Sequence, residues 1–421
     1  MRHEAIDAVA GDGRPAIRTN IIDRRTYDRH IAHCRMLLAI LAIAERSVLD
    51  RPELLDLALH GYPHADVVRA GLDYAREPVG RFDTLIDEQG VPRFIEYNPG
   101  LCGGAFIGQN LAEHDLAARR LSDPANAAHM RCVPTGELFM DSIWAGSLTA
   151  MGRPPRELAL IVPAAPSTAG DAVDQEIAAF VAGHAARGGR IWVGMAHEIS
   201  AQENRLQLRD TVVDAMIVMD WEATLAECPA GHPLRAPAAF PETWIANDFG
   251  AAVMRGGKHL FALISDPASG IAFDSVQRRW IARHVPWTRM VPARSGTPTE
   301  RDRAMIADIH RNREELVLKP SIGRGGHGIV AGWTVDDAHW REAVGRAGDL
   351  PHIVQARVRP QTEADFWEIE RTGTATRFIA DRCAFVWQDG SIDGIIARAG
   401  VSWLLNISAG FARPVATLIE G

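Results

Sequence analysis

Residues 79–98, VGRFDTLIDEQGVPRFIEYN, combine two carboxylates and an amide in a pattern that could hold a metal ion. Apolar runs on both sides of a turn at 87–90 predict a short β-hairpin. Side chains alternate between the two faces of a strand, so Glu96 and Asn98 point the same way. Carboxylate and amide oxygens are hard ligands of the kind that Mg²⁺ takes together with nucleotide phosphates. We therefore predict Asp83, Glu96 and Asn98 as ligands of Mg²⁺.

The register of this hairpin decides how its carboxylates are placed. If the turn centres on residues 88–89, Asp83 faces Phe94 and lies diagonal to Glu96. Arg81 lies two residues before Asp83 on the same face and would add positive charge. An ordinary amphipathic hairpin with a solvated acidic face is the alternative interpretation.

Residues 315–333, ELVLKPSIGRGGHGIVAGW, have a composition suited to holding phosphate groups. Two apolar runs flank a glycine-rich loop, which predicts a strand, a loop and a second strand. Glycines let the backbone pass close to a ligand and expose its N–H groups. Lys319 and Arg324 add positive charge beside them. The glycines concerned are Gly323, Gly325, Gly326 and Gly328.

Other glycine-rich phosphate motifs fit this segment poorly. GRGGHG has the spacing of a dinucleotide-binding fingerprint, but that fingerprint must open a helix, and the following IVAGW is typical of a strand. A P-loop would end in GK[ST], and the lysine of a protein kinase follows its loop instead of preceding it. A glycine-rich hairpin loop that binds no ligand remains the alternative.

The composition indicates a soluble globular protein with two or three subdomains. The 421 residues are 47% hydrophobic and 23% charged, and the formal net charge of −8 argues against general nucleic-acid binding. The apolar run at 36–44 is far shorter than the roughly 20 residues of a membrane span, and the first residues lack the apolar core of a signal peptide.

The five cysteines are scattered, with no CxxC pair or Cys/His cluster. Neither a zinc site nor a disulfide framework is indicated. We therefore expect a reduced, cytoplasmic protein.

The order of elements predicts an α/β (α+β) architecture. Helical periodicity at 21–75 precedes the hairpin, and a helix is expected at about 107–120. Alternating strands and helices at about 157–250 predict a compact α/β unit with a partly parallel sheet. Two helices, KHLFALISD and 300–313, precede a run of strands to the end. The expected units are a helical segment at 1–75, a metal-binding part at 76–150, the α/β unit at 155–250 and a last part at 255–421.

The glycine-rich segment resembles the ATP-grasp superfamily, in which a strand ending in Lys-Pro leads into a flexible flap and a second strand. The resemblance implies a phosphate-binding lysine on the preceding helix, and Lys258 in MRGGKHLFALISD fits. It also implies an adenine-holding linker strand, HIVQARV at 352–358, and then an arginine followed by asparagine and small residues, here Arg398 and NISAG at 406–410. The linker lacks the acidic residue that the family usually places after Gln355.

The resemblance assigns nucleotide binding to a set of residues in and around these segments. They are Lys258, Lys319, Ser321, Gly325, Gly326, His327, Gly328, Gln355, Ala356, Arg357, Val358 and Asn406.

The order of the motifs resembles that of the circularly permuted ATP-grasp enzymes, of which glutathionylspermidine synthetase is the best known. In the common order the metal-binding strands come last, whereas Asp83 and Glu96-x-Asn98 here precede the α/β unit. The implied fold is a permuted ATP-grasp core with an inserted Rossmann-like pre-ATP-grasp subdomain and a helical N-terminal segment.

This resemblance implies a carboxylate–amine ligase that uses ATP and Mg²⁺ and passes through an acyl phosphate. Arg81 and Arg398 are the candidate catalytic residues, since guanidinium groups suit both carboxylate and phosphate. The partners would be a small carboxylate and a small amine, with neither nucleic acid nor membrane; a homodimer is compatible with the sequence. A small-molecule kinase and a non-catalytic nucleotide-binding protein are the alternatives.

Several remaining residues are assigned structural roles. Cys102 is predicted to be a buried thiol without a catalytic role, and His327 is either a phosphate contact or an exposed loop residue. Asp381 and Asp393 are predicted at loops or turns, and a role as a further metal ligand is the alternative. The tryptophans of the C-terminal third are predicted in the core, with stacking on adenine or on a substrate as the alternative. They are Trp333, Trp340, Trp367, Trp387 and Trp403.

Overall fold

The structure, a computed structural model, describes residues 19–71, 79–100, 102–163, 171–294, 298–323, 326–365, 376–406 and 412–421. Of the residues singled out above, Gly325, Arg324, Trp367 and positions 407–410 lie outside these ranges.

The described residues form a mixed α/β fold. The α-helices are α1 (Arg24–Leu49), α2 (Pro52–Leu59), α3 (Ala65–Gly71), α4 (Ala105–Ser122), α5 (Pro124–Ala127), α6 (Thr135–Met151), α7 (Asp171–Ala186), α8 (Trp221–Glu227), α9 (Phe249–Gly256), α10 (His259–Ser265), α11 (Ser275–His284), α12 (Glu300–Arg311) and α13 (Asp337–Ala347). Short 3₁₀ helices lie at Ala196–Glu198, Pro233–Arg235, Pro237–Ala239, Pro267–Ser269, Arg313–Glu315 and Gly332–Thr334.

The strands make five sheets within the described ranges. They are β1 (Asn20–Asp23), β2 (Gly80–Ile86), β3 (Pro92–Pro99), β4 (Met130–Arg131), β5 (Glu157–Ile161), β6 (Arg190–Gly194), β7 (Ile199–Gln202), β8 (Arg205–Leu208), β9 (Thr211–Val212), β10 (Ala215–Val218), β11 (Trp244–Ile245), β12 (Thr288–Met290), β13 (Leu316–Pro320), β14 (Val330–Ala331), β15 (His352–Ala356), β16 (Thr362–Asp365), β17 (Thr376–Ala380), β18 (Cys383–Val386), β19 (Ile392–Gly400), β20 (Arg413–Val415) and β21 (Thr417–Glu420).

The central sheet joins strands from distant parts of the chain. Its order is β16-β17-β19-β18-β2-β3, and β20 pairs with β19. Strand β2 runs antiparallel to β18, with Phe82 opposite Ala384. The hairpin β2–β3 therefore shares a sheet with strands from the C-terminal part of the chain.

The hairpin forms as predicted, but its register differs from the predicted one. Its loop has three residues, 88–90, closed by the bond from the Asp87 amide to the Val91 carbonyl, with Gly90 at a φ of 76°. A bulge then shifts the pairing, so that Thr84 faces Phe94 and Asp83 faces Glu96 directly. The prediction that Asp83 faces Phe94 was wrong.

The bulge has a packing reason. It places Phe94 and Tyr97 on one face of β3, where both rings contact Phe82 at centroid distances of 5.9 and 4.6 Å. All three rings are buried. The opposite face of the hairpin is consequently left for the charged side chains.

The unit at 157–250 contains a parallel sheet, β11-β10-β5-β6, and an antiparallel sheet, β7-β8-β9. The parallel strands are apolar, and β10, Ala215–Val218, is buried throughout, as is usual for a parallel sheet covered on both faces. The sequence predicted one partly parallel sheet, whereas the structure has a wholly parallel sheet and a separate antiparallel sheet.

The sheet β12-β15-β13-β14 carries the glycine-rich loop. Helices α12 and α13 cover it, and Trp340 and Val344 on α13 are buried. The prediction of only strands after 315 was wrong for α13. The Asp336 side chain caps this helix by accepting the His339 amide, and Trp340, Val344 and Ala347 have helical spacing.

The N-terminal helical region packs on the rest of the chain. Asp23 caps α1, and the apolar face of this helix lies in the largest core cluster. The hydroxyl of Tyr27 bonds to Asp393, and β1 pairs in parallel with β21. No helix within the described ranges is both long and apolar enough to cross a membrane.

Candidate active site

A cavity of about 690 Å³ lies between the central sheet, the sheet of the glycine-rich loop and the 157–250 unit. This volume falls in the usual range of small-molecule sites. Most of the residues predicted for the site line it. They are Arg81, Asp83, Glu96, Asn98, Lys319, Gly326, Gln355, Ala356, Arg357, Val358, Arg398 and Asn406.

Asp83 is held between two arginines. The Arg398 Nη2 atom is 2.7 Å from Asp83 Oδ2, and Arg81 Nε is 2.9 Å from Asp83 Oδ1. Burial alone would raise the pKa of Asp83, but Arg398 and Arg81 lower it well below its ordinary value. The carboxylate is therefore ionised at neutral pH.

Arg398 is fixed by a second carboxylate, that of Asp381. The Asp381 oxygens accept the Arg398 backbone amide and Nε, both at 2.7 Å, and the side chain of Asp381 is 2% exposed. Burial raises the pKa of Asp381, although Arg398 opposes the shift. The sequence prediction of an incidental turn position understated the role of Asp381, which is a buried anchor for Arg398.

The two predicted phosphate-binding lysines lie near Glu96. Lys258 Nζ is 2.8 Å from Glu96 Oε1 and 3.0 Å from the carbonyl of Gly323. Burial lowers the pKa of Lys319 to about 8, while the charge of Glu96 opposes the shift. Lys258 itself does not line the cavity, but it links Glu96 to the start of the glycine-rich loop.

The scarcity of lysine in the sequence is a further signal for this site. Of its 45 lysines and arginines, two are lysines, Lys258 and Lys319. Both are buried, and both lie at this site. An ammonium is a compact point charge that suits phosphate, whereas a guanidinium suits planar paired contacts.

Gln355 positions Lys319. Its Oε1 accepts from Lys319 Nζ at 2.7 Å, and its Nε2 is 3.2 Å from Thr288 Oγ1. The backbone amides of Ala356 and Arg357 already donate to carbonyls of the protein. The Gln355 side chain and these two amides are therefore already paired within the protein. An adenine ring at this linker would have to contact other atoms.

The glycine-rich loop is described at 321–323 and 326–329, and Gly326 lies against the segment after β19. A Cβ at Gly326, where φ is 75°, would come within 3.0 Å of Leu404 and 3.3 Å of Asn406. Ser321 is buried and its hydroxyl accepts the His259 amide, so it joins the loop to α10. His327 and Gly328 are exposed and do not line the cavity.

The tryptophans divide between core and cavity. Trp340 and Trp387 are buried as predicted, but Trp333 and Trp403 line the cavity with their rings 5.6 Å apart. The prediction of core positions was wrong for these two. Arg357 lies over the Trp333 ring, 4.0 Å from its centroid.

Glu176, on α7, lines the same cavity and was not found from the sequence. Its carboxylate accepts the backbone amides of Gly104, Phe106 and Ile107. Burial raises the pKa of Glu176 to about 7, against the effect of these hydrogen bonds. It belongs to no motif, so no local pattern could have identified it.

Cys102 and the predicted Mg²⁺ ligands line the same cavity. Burial raises the pKa of the Cys102 thiol to about 12, which agrees with a residue that is not a nucleophile. Among the described residues, no three His, Cys, Asp or Glu side chains gather as a metal cluster. The predicted Mg²⁺ site differs from such a cluster, since it has two carboxylates and the amide of Asn98.

The comparisons with known proteins identify the fold. No protein-family model matches the sequence, and no curated protein matches it. A glutathione synthetase-like effector from Globodera pallida, solved in its apo form, is similar in structure with a TM-score of 0.53 and 12% identity, over 95% of this chain and 88% of that one. A protein assigned as a γ-glutamylcysteine synthetase from Methylobacillus flagellatus gives a TM-score of 0.47 and 13% identity, over 89% and 86%. At this identity the likeness concerns the fold alone, and the chain shares its fold with the glutathione synthetase-like effector.

Proposed function

We propose that this protein is an ATP- and Mg²⁺-dependent carboxylate–amine ligase that forms an amide through an acyl phosphate and releases ADP and phosphate. The observation that carries the proposal is the composition of one cavity wall. There Arg81, Lys319 and Arg398 lie beside the oxygen ligands Asp83 and Glu96. Phosphoryl transfer needs mainly positioning and charge neutralisation, which this arrangement provides.

The strand pairing supports a circularly permuted form of the fold. Strand β2, which carries Asp83, precedes the α/β unit in sequence but pairs with β18 near the other end of the chain. Asp83 and Arg398, 315 positions apart in sequence, thereby come into direct contact.

The residues present fit a magnesium site. Asp83 and Glu96 are paired across the hairpin, and Asn98, two residues after Glu96 on β3, lines the same cavity. These three side chains would hold the ion, which when bound would neutralise charge on the transferred phosphoryl group. Lys258 and Lys319 would contact the nucleotide phosphates, with Gln355 fixing the position of Lys319.

The two arginines would hold the carboxylate and then the acyl phosphate. Each presents a planar guanidinium to the cavity, and planar N–H groups match both anions. Asp381 would keep Arg398 in place beside the reacting group by accepting its Nε–H. The glycine-rich loop against Leu404 would exclude water, which would otherwise hydrolyse the acyl phosphate.

A screen of ADP formation tests this function. Purified protein is incubated with ATP, Mg²⁺, and pools of small carboxylic acids, amino acids and polyamines, supplied separately and together. A ligase releases ADP only when a carboxylate and an amine are both present. Release with a single acceptor indicates a kinase, and nucleotide binding without release indicates a non-catalytic protein; either outcome contradicts the proposal.

A further inference from the structure

The Glu176 carboxylate lines the cavity and accepts three backbone amides. Its Oε1 accepts Gly104 N at 2.5 Å and Ile107 N at 3.4 Å, and its Oε2 accepts Phe106 N at 3.1 Å. An ionised carboxylate has about four acceptor positions, so one position on Oε2 has no donor among the residues that the structure describes. The residue is partly accessible and lines the cavity.

One peptide unit connects Glu176 to the proposed catalytic arginine. The carbonyl of Gly103 accepts Arg81 Nη1 at 2.8 Å, and the amide of Gly104, in the same peptide unit, donates to Glu176. Glu176 therefore lies beside the group that would hold the acyl phosphate. The ionisable groups that act on it are Arg81, on β2, and the Cys102 thiol in the loop before α4.

We propose that Glu176 binds the ammonium group of the acceptor amine and removes its proton. This inference rests on the proposed ligase function and adds a general base, for which that proposal names no residue. A buried anion with an unused acceptor position is suited to an ammonium group, since burying a charge without a partner is costly. The substrate class that follows is a primary amine that is protonated in solution.

The proton and bond changes balance. The ammonium group gives one proton to the Glu176 carboxylate and becomes a free amine. The amine nitrogen then attacks the acyl carbon, the C–N bond forms and the C–O bond to phosphate breaks. Phosphate leaves with the electron pair and takes the second N–H proton, and Glu176 returns its proton to solvent. A base with a pKa of about 7 is close to the operating pH, which favours this role.

A purely structural role for Glu176 predicts a different result. Gly104, at the start of α4, offers no capping side chain. In the structural alternative, the sole role of Glu176 is to cap that helix. Gln109 is a matched control, because its Oε1 accepts the Gly136 and Glu137 amides and caps α6 from a neighbouring helix. Gln109 does not line the cavity.

The test compares two kinds of nucleophile, hydroxylamine and an amine. Each is supplied together with the carboxylate pool, ATP and Mg²⁺. Hydroxylamine is largely unprotonated at neutral pH and traps acyl phosphates without a base, whereas glycine and polyamines are ammonium ions. Glu176→Gln should lower amine-dependent ADP release by about 10²-fold or more, the usual size of base catalysis. It should leave hydroxamate formation nearly unchanged. Gln109→Ala should leave the ratio of the two rates unchanged.

The wild-type protein supplies a second test that needs no variant. The rate with the amine is divided by the rate with hydroxylamine and followed against pH. After correction for the ionisation of the amine itself, this ratio should show an inflection near pH 7. The Glu176→Asp variant should retain the inflection. Equal loss of both rates in Glu176→Gln, or loss of neither, would overturn the role of Glu176 while leaving the ligase intact. Absence of hydroxamate with every carboxylate in the wild-type protein would overturn the ligase proposal itself.

Discussion

At Asp83, one buried carboxylate balances two guanidinium groups. Arg81 and Arg398 both bond to it, but Arg398 also has Asp381 as a partner. Removing the Asp83 charge would therefore leave Arg81 without its carboxylate. The side chain of Asp83 is only 8% exposed, so this predicted metal ligand also contributes to the packing of the protein.

Asp83→Asn should abolish ADP release and also destabilise the fold. Breaking one side of a buried ion pair typically costs about 3–5 kcal/mol, which chemical denaturation can measure. Asp28→Asn, in an exposed pair with Arg24, is the control and should change stability by less than about 1 kcal/mol. The native pKa of Asp83 is lowered, so its contribution is present above the unfolded carboxyl pKa and is lost as the pH falls through the native one. A variant as stable as the wild type would contradict this account of the network.

Lys319→Ala should weaken ATP binding by about ten- to a hundredfold, because a desolvated charge-assisted contact is worth roughly 1.5–3 kcal/mol. Wild-type affinity should also fall as the pH rises through about 8, where the Lys319 ammonium loses its charge. Calorimetry checks both effects. Arg24→Ala, at the surface, should bind ATP normally, and unchanged affinity in Lys319→Ala would exclude the assignment.

The scarcity of lysine allows a direct labelling test. An amine-acylating reagent can react with Lys258, Lys319 and the N-terminal amine alone, since the sequence contains no other lysine. Lys319 should react at lower pH than an ordinary lysine, because its pKa is lowered. ATP should protect both lysines, measured by peptide mass spectrometry, with the N-terminal amine as internal reference. Equal labelling with and without ATP would argue against a nucleotide at this site.

At the scale of elements, most of the strands and loops singled out from the sequence line one cavity, but the sequence did not predict their exact pairing. Alternation identified the hairpin and the common face of Glu96 and Asn98. The bulge that sets Asp83 opposite Glu96 depends on packing Phe94 and Tyr97 against Phe82, which is a tertiary effect. The cavity positions of Trp333 and Trp403 were missed for the same reason, since spacing alone does not separate a core ring from one that lines a cavity.

Gly326→Ala should test the contact between the glycine-rich loop and the segment at 404–406. The added Cβ meets Leu404 at 3.0 Å on a backbone with positive φ, so the loop must shift or bear strain of about 1–3 kcal/mol. We expect a higher KM for ATP in assays of ADP release. Gly345→Ala is the control, because a Cβ there meets nothing within 4 Å and should stabilise α13 by about 0.5–1 kcal/mol. An unchanged KM in Gly326→Ala would show that the loop contact is not used.

At the scale of the whole molecule, the chain folds back so that its distant parts complete one site. Strand β1 pairs with β21, and β2 pairs with β18. The sequence predicted this union only through the resemblance to permuted ATP-grasp enzymes, because local patterns do not specify which strands become neighbours. Glu176 and Asp381 enter the site through the same long-range packing, and neither lies in a motif.

Arg81, Arg398 and Lys319 line one cavity, which leads to a prediction about the whole reaction. A carboxylate labelled with ¹⁸O should transfer one labelled oxygen to the released phosphate, because the carboxylate oxygen that attacks the γ-phosphate leaves with it when the amine displaces it. Mass spectrometry of phosphate measures this transfer, and chromatography of the nucleotide product distinguishes ADP from AMP. Label retained wholly in the amide, or AMP formed with pyrophosphate, would exclude the acyl-phosphate route. The ADP-forming route is expected because the cationic side chains surround the place where a terminal phosphoryl group would be transferred.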